Sequence, residues 1–221
     1  MQTDISHAPT LVGRRSSLFT RVPLFFSVAL GIDFDFEVIP DMTKLSAEAY
    51  GGHPALKLPV LRIAGTTVYG AQNICRVLVE HVAAQGGTGR VVWPEELPDI
   101  LVRNAHELVA HCMTAQVQQV MGVQVAGLPP DNVFFEKNRT GLANSLRWLD
   151  ASLDAVLAAL PRARQFSYFE VCLFCLLEHL RFRATFEWAN LPRLATFAQD
   201  FARHPAALAT EYRFDAQSHF S

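Results

Sequence analysis

Lysine is scarce in this sequence, and charge of either sign is sparse. Only three of the 19 basic residues are lysines, the arginines are scattered, and charged residues make up 18% of the chain. The net charge is −2. Because a nucleic-acid-binding surface needs a dense basic face, we expect no nucleic-acid partner. The chain also lacks the low hydrophobicity of disordered proteins, since 50% of its 221 residues are hydrophobic.

A long hydrophobic run is also missing. The longest apolar stretch, near Val22–Ile32, is well short of the ~20 residues that a membrane-spanning helix needs. Met1–His7 shows no basic segment followed by an apolar core, so no secretion signal is expected. The few cysteines all lie within apolar, helix-like stretches: Cys75, Cys112, Cys172 and Cys175. This pattern favours buried, reduced thiols in a cytoplasmic protein over a disulfide framework.

The first part of the chain, residues 1–84, alternates short strands with helices. Strands are predicted over 9–13, 34–39, 59–63 and 66–69, and helices over 18–30 and 71–84. The last two strands form a hairpin around Ala64-Gly65. The strand–helix–strand unit before the hairpin implies a mixed sheet covered by helices, which makes 1–84 an α/β domain.

The character of the chain changes after residue 84. A glycine-rich stretch opens a linker, predicted over 85–96. No strand is predicted after residue 97, where helical patterns run over about 98–124, 132–160, 168–186 and 191–203. Residues 97–221 are therefore predicted to form an all-helical domain, with a capping box at Ser167 and Glu170.

Pro59 opens the third predicted strand and has two interpretations. It is either ordinary punctuation at the edge of a sheet, or the second residue of a cis Leu58-Pro59 bond. A cis bond would turn the Leu58 backbone outward, where it can pair with an extended peptide ligand.

Six segments in a fixed order resemble a known family. They are Gly13–Val22, Gly31–Phe36, His53–Leu61, Phe166–Glu170, Trp188–Leu194 and Arg203–Ala206. Together they resemble the cytosolic glutathione transferases over nearly the whole chain. The spacing from Arg15-Ser16-Ser17 to Arg21-Val22 is most similar to the serine-type zeta and tau groups. The resemblance implies a thioredoxin-like domain followed by a helical domain, usually in a homodimer. It further implies glutathione as co-substrate, no metal, and detoxification of a small hydrophobic electrophile.

Two serines lie where the first strand meets the first helix. Alignment on Val22 gives Ser16 the family's catalytic position without a gap, whereas alignment on the Ser-x-Phe pattern gives it to Ser17. The hydroxyl would stabilise a bound thiolate, aided by the helix N-terminus. The alternative is an N-cap, for which serine is favoured in its own right. No cysteine lies in this turn, which argues against disulfide exchange.

The start of the second helix departs from the family pattern. Gly70, Ala71 and Gln72 follow the hairpin, where the family usually carries an acidic residue or Gln and then Ser to hold the γ-glutamyl group of glutathione. The helix N-terminus can still bind a carboxylate through backbone N–H groups, and Gln72 or Asn73 can partly substitute for the lost side chains. Lys57 is expected to pair with the glycine carboxylate or to be a solvated lysine.

In the resembled family, the first helix of the second domain lines the cleft for the electrophilic substrate, so the resemblance implies a substrate-facing surface here. His111, Ala115 and Gln118 share one face by their spacing. The alternative is a dimer contact or a satisfied histidine. Apolar residues of the hairpin side and of this helix predict a homodimer interface. They are Val68, Tyr69, Ala105, Leu108, Val109, Cys112 and Met113.

Cys172 and Cys175 are interpreted as buried core residues rather than as metal or redox groups, even with His179 on the same face. Two functions therefore stay open. One is a glutathione transferase that uses Ser16, and the other is a non-catalytic binding or regulatory protein of the same fold that has lost glutathione binding at Gly70-Ala71.

Overall fold

The computed structural model describes residues 8–215, which form two compact units. One unit comprises 8–88 together with 205–215, and the other comprises 89–204. The predicted domains grouped the whole of 97–221, so the grouping of the chain's end with the first unit differs from the expectation. Met1–His7, on which the expected absence of a secretion signal depends, lies outside the described residues.

The first unit is built on a four-stranded mixed sheet. Its strands are β1 (Thr10–Gly13), β2 (Asp35–Val38), β3 (Val60–Ile63) and β4 (Thr66–Tyr69), in the spatial order β2-β1-β3-β4. Its helices are α1 (Leu18–Ala29), α2 (Ala71–Ala84) and, from the end of the chain, α7 (Pro205–Ala209). β1 is parallel to β2, as the predicted strand–helix–strand unit requires, and β3 is antiparallel to β4, as the predicted hairpin requires. β1 is also antiparallel to β3. The predicted thioredoxin-like fold class is confirmed.

The hairpin turn has the backbone conformation that a two-residue connection requires. Ala64 and Gly65 both have positive φ, 47° and 73°. Two positive φ values are characteristic of the two-residue turn whose twist matches that of paired strands. Leu61 pairs with Leu11 on one side and with Val68 on the other, so the strand is held centrally in the sheet.

The end of the chain joins the first unit through a buried arginine. Arg21 lies on α1 and is 2% exposed. Its guanidinium donates to the Ala207 carbonyl oxygen at 3.1 Å and lies 4.4 Å from the ring centroid of Tyr212. These contacts join residues far apart in the sequence, so no local periodicity could have predicted them.

The second unit is helical with one small exception. It contains α3 (Ile100–Gln119), α4 (Val133–Ala159), α5 (Tyr168–Phe182) and α6 (Pro192–Phe201), and α3 continues as a π-helical segment over Val120–Val125. The prediction of no strand after residue 97 is wrong, because Val91–Val92 (β5) pairs in parallel with Phe166–Ser167 (β6). Two residues are too few for an alternating pattern to be visible in the sequence.

The predicted capping box opens α5. The Ser167 Oγ accepts from the Glu170 N–H at 3.1 Å, and Glu170 Oε2 accepts from the Ser167 N–H at 2.8 Å. Arg164 donates to both carboxylate oxygens of Glu170, at 2.7 and 2.9 Å. The box satisfies the backbone N–H groups of Ser167 and Glu170, and Arg164 neutralises the Glu170 carboxylate. This confirms the structural interpretation of the box.

All four cysteines are buried, as predicted, and none is in a disulfide. Burial raises the pKa of the Cys112 thiol to about 11 and raises that of Cys172 further. Both therefore stay protonated thiols near neutral pH. Within residues 8–215, no helix is long and apolar enough to span a membrane, and no cluster of three or more His, Cys, Asp or Glu residues could hold a metal ion.

Candidate functional site

The two serines lie in the turn between β1 and α1. The Ser17 N–H donates to the Arg14 carbonyl oxygen at 3.0 Å, which closes the turn. The Ser17 Oγ accepts from the Thr20 N–H at 3.3 Å, so Ser17 is the N-cap of α1. Ser16 lies next to the cap and is 2% exposed, whereas Ser17 is half-buried. The sequence left open that either serine is the N-cap of α1, and the structure assigns this role to Ser17.

Two arginines precede the serines and have different surroundings. Arg14 is 6% exposed, and burial lowers its pKa while the carboxylates of Asp215 and Asp41 oppose that shift. The Arg15 N–H donates to Asp215 Oδ2 at 3.0 Å, and the Arg15 guanidinium donates to Oδ1 at 3.3 Å. The Arg15 guanidinium also lies 4.2 Å from the ring centroid of Phe36 on β2. The turn is thus positively charged and holds one internal carboxylate.

The segment before β3 contains the cis bond that the sequence left open. The Leu58-Pro59 peptide is cis. Leu58 is half-buried and packs against the buried residues Val12, Ile39 and Val60. The paired residues of β3 begin at Val60, so the Leu58 backbone lies before the β-ladder. Lys57 is exposed. This agrees with a solvated lysine and also leaves the ammonium group accessible to a ligand carboxylate.

Sequence reasoning assigned no role to His53, which joins this segment to the end of β4. Its ring centroid lies 4.6 Å from that of Tyr69, and its Nδ1 accepts from the Ala55 N–H at 3.1 Å. The Tyr69 hydroxyl donates to the Gly52 carbonyl oxygen at 3.0 Å. Burial is the main cause that lowers the pKa of His53, and the nearby Lys57 charge lowers it further. The only sequence signal for this contact is an aromatic residue beside Gly70.

The N-terminus of α2 has no side-chain cap. Gly70 is its N-cap residue, with φ 85° and ψ 133°, a conformation that side-chain-bearing residues rarely adopt. A Cβ at Gly70 would meet no atom within 4 Å, so the glycine is required by its backbone angles rather than by crowding. Ala71 is 7% exposed and Gln72 is half-buried. Any anion at this helix start must be held chiefly by backbone N–H groups.

The predicted substrate face of α3 is only partly recessed. His111 and Gln118 are exposed, and Gln118 Oε1 accepts from Asn138 Nδ2 on α4 at 3.0 Å. Ala115 is half-buried and lines a very small cavity between α3 and α4. His111 and Gln118 are therefore open to solvent, and Ala115 alone of the three lines this small cavity.

A buried polar network crosses the second unit without having been predicted. Gln116 is 1% exposed and its Nε2 lies 3.1 Å from His179 Nδ1. The Thr185 hydroxyl donates to Gln116 Oε1 at 2.9 Å. His179 is thus hydrogen-bonded inside the unit, which agrees with a core interpretation of the Cys175–His179 face.

The apolar residues that suggested a dimer interface on α3 are mostly internal. Ala105, Val109, Cys112 and Met113 are at most 2% exposed, and Val68 on β4 is 7% exposed. Tyr69 is 37% exposed. The expected exposed patch is therefore not formed by these α3 residues, because they pack within their own unit.

A cavity of about 860 Å³ lies elsewhere in the second unit. Its walls come from α4, the start of α5 and α6, with Phe166, Phe197 and Phe201 beside Arg164, Arg193 and Arg203. Each of these arginines is paired with an acidic side chain. None of the sequence-predicted site residues lines it.

Comparisons with protein-family models and with curated protein sequences find no match. Solved structures, in contrast, match over most of the chain. A glutathione S-transferase from Methylobacillus flagellatus, with glutathione bound, has a TM-score of 0.70 and 21% identity and covers 93% of this chain and 100% of its own. A glutathione S-transferase from Methylobacterium radiotolerans, in complex with glutathione sulfonate, has a TM-score of 0.69 and 16% identity, covering 94% and 96%.

A third structure has the same coverage as the first. It is a glutathione transferase family member from Pseudomonas fluorescens Pf-5 with bound S-(propanoic acid)-glutathione, with a TM-score of 0.66, 21% identity, and coverage of 93% of this chain and 100% of its own. At these identities the likeness establishes architecture rather than activity. The chain has the fold of the glutathione transferases.

Proposed function

We propose that this chain is a glutathione transferase-like enzyme that conjugates the glutathione thiolate to a small hydrophobic electrophile. The observation that carries the proposal is the β1–α1 turn. Two serine hydroxyls and a buried arginine lie there at the start of a 12-residue helix. Solved structures of the same fold hold glutathione or its derivatives.

Ser16 is the proposed thiolate-stabilising residue. Its hydroxyl donates a hydrogen bond to the sulfur, and the N-terminus of α1 adds partial positive charge. The thiol proton leaves to solvent, and the thiolate attacks an electrophilic carbon to form a C–S bond. In a substitution, the bond between that carbon and the departing group breaks, and its electron pair leaves with the group. In an addition, the π electron pair of the double bond moves to the atom at its other end, which then takes a proton from water. Ser17 supports this arrangement as the cap of the helix.

The tripeptide is proposed to bind along the segment before β3. The Leu58 backbone pairs with it, Pro59 shapes the segment, and the exposed Lys57 ammonium pairs with its glycine carboxylate. The γ-glutamyl end binds at the start of α2 through backbone N–H groups of Ala71 and Gln72, which Gly70 leaves open. This end lacks the side-chain donors of the family pattern, so its contribution to affinity is small.

The electrophile is proposed to bind on the α3 face that carries His111, Ala115 and Gln118. A homodimer is proposed on the family resemblance and the partly exposed Tyr69. Light scattering at micromolar concentrations tests the dimer, for which the expected mass is twice 24.6 kDa. A mass equal to that of one chain would contradict it.

A non-catalytic binding protein of the same fold is the alternative, and the uncapped start of α2 favours it. Titration calorimetry with reduced glutathione separates the two functions. Binding at millimolar or tighter affinity, followed by conjugation of a common aromatic electrophile, supports the enzyme. An absence of heat at several millimolar glutathione supports the binding protein.

A further inference from the structure

The β1–α1 turn holds a carboxylate that belongs to the chain itself. Asp215 is 8% exposed and receives two hydrogen bonds from Arg15, one from its backbone N–H and one from its guanidinium. A backbone N–H and a guanidinium converging on one carboxylate make charge-assisted bonds of the kind that recognise organic anions. Asp215 therefore fills a site whose donors match an anion.

Arg14 adds a second, independent sign of an anion site. Its side chain is more than nine-tenths buried, and its Nε is buried without a hydrogen-bond partner among residues 8–215. A buried cation needs a compensating anion. Two carboxylates face it, Asp215 and Asp41, and Asp41 already accepts from the Thr43 N–H and hydroxyl and pairs with Lys44 at 3.7 Å. Asp215 is thus the one of the two that is also bound to Arg15.

The segment that carries Asp215 is held by buried contacts at its start and by few buried residues after Tyr212. α7 is tied to α1 by the buried Arg21, which also contacts the ring of Tyr212. Beyond this anchor, Arg213 and Phe214 are exposed, and Phe214 is 41% exposed. Asp215 is the only buried residue among 211–215, so its carboxylate provides the attachment of the segment's end to the turn.

We infer that the Arg14–Arg15 turn is a binding site for small anions, carboxylates and sulfate-like oxyanions alike, and that Asp215 is its internal competitor. An anionic ligand takes the Arg15 N–H and guanidinium and faces Arg14, and the 211–215 segment is released from the turn. The site neighbours Ser16, which is 2% exposed while the segment is docked. The consequence for glutathione rests on the proposed function, whereas the anion site itself does not.

The test compares Asp215→Asn with Asp33→Asn in the full chain. Asp215→Asn keeps the shape of the side chain and removes its charge, and Asp33→Asn removes the same charge from an exposed position of the same unit. Calorimetry is run with inorganic sulfate and, separately, with reduced glutathione, at constant ionic strength. Asp215→Asn is expected to bind sulfate roughly ten- to a hundred-fold more tightly than wild type, the range of one charge-assisted hydrogen bond, and Asp33→Asn is expected to match wild type.

Hydrogen exchange on the wild-type chain gives a second measurement that needs no variant. Saturating sulfate is expected to speed exchange of the amides in 211–215. If Asp215→Asn binds sulfate no more tightly than Asp33→Asn, or if it fails to fold and sulfate leaves wild-type exchange unchanged, Asp215 is a structural ion-pair residue and the inference is wrong. If sulfate releases the segment but no form of the chain binds glutathione, the anion site stands and the proposed enzyme function fails.

Discussion

The starts of α1 and α2 lie in the same unit, and both present the backbone N–H groups of a helix N-terminus, which lack partners within the helix. They carry different side chains. α1 begins at a serine cap, behind a buried arginine and a bound carboxylate. α2 begins at Gly70, which has no side chain to offer, and at the methyl group of Ala71. Under the proposed function, the start of α1 carries side chains suited to a thiolate, whereas the start of α2 lacks side-chain donors for a γ-glutamyl carboxylate. A weakly bound glutathione with intact sulfur chemistry is the expected result.

The largest expected effect comes from removing the hydroxyl beside the α1 cap. Ser16→Ala should lower turnover roughly ten- to a hundred-fold at neutral pH, because one hydrogen bond to a charged group is worth ~1.5–3 kcal/mol. Glutathione affinity should change little. The deficit should shrink as the pH rises, since the free thiol then ionises without help. A pH series of kcat for wild type and variant measures this.

Two other outcomes would change the assignment at α1. A larger loss in Ser17→Ala than in Ser16→Ala, after correction for the folded fraction, would move the thiolate contact to Ser17. Equal turnover in both variants and wild type would assign thiolate stabilisation to backbone N–H groups, to Arg14 or to Arg15.

The next largest effect should come from restoring a hydroxyl at the start of α2. Ala71→Ser adds one donor beside the backbone N–H groups and is expected to tighten glutathione binding up to about ten-fold, the equivalent of ~1.4 kcal/mol. The matched control is Ala83→Ser, an exposed position at the other end of the same helix. Calorimetry that shows no difference between the two variants would indicate that the γ-glutamyl group does not bind there.

A smaller effect on stability should separate the two serines. Ser17→Ala removes the cap of α1 and should lower the free energy of unfolding by about 1 kcal/mol. Ser16→Ala leaves the Ser17–Thr20 bond intact and should cost less. Denaturant unfolding of both variants, monitored by circular dichroism, measures the difference. Equal losses would mean that the cap contributes nothing beyond what Ser16 does.

The sequence predicted local features well and distant contacts poorly. The hairpin around Ala64-Gly65 and the box at Ser167 follow from residues within a few positions of each other, so a short pattern suffices. The pairing of β5 with β6 and the attachment of Ala207 to Arg21 join residues far apart in the chain, where no period exists. The Arg15–Asp215 contact belongs to this second group. The proposed anion site therefore could not be predicted from the sequence, whereas the position of the serine turn could.

The smallest expected effect is a pH-dependent loosening of the segment next to α2. Burial lowers the pKa of His53 below its ordinary value near 6.5, so the unfolded chain takes up the proton first as the pH falls. The contribution of neutral His53 is therefore intact above pH ~6.5 and is lost below it. Protonation of Nδ1 also removes the acceptor of the Ala55 N–H. We expect the Ala55 amide to exchange faster at pH 5 than at pH 7, after correction for intrinsic rates, and this change to disappear in His53→Asn.

The Thr20 amide at the α1 cap should show no such change, because its acceptor is a serine hydroxyl that does not titrate in this range. Equal responses at Ala55 and Thr20 would show that acid loosens the whole unit and that His53 has no special role at α2.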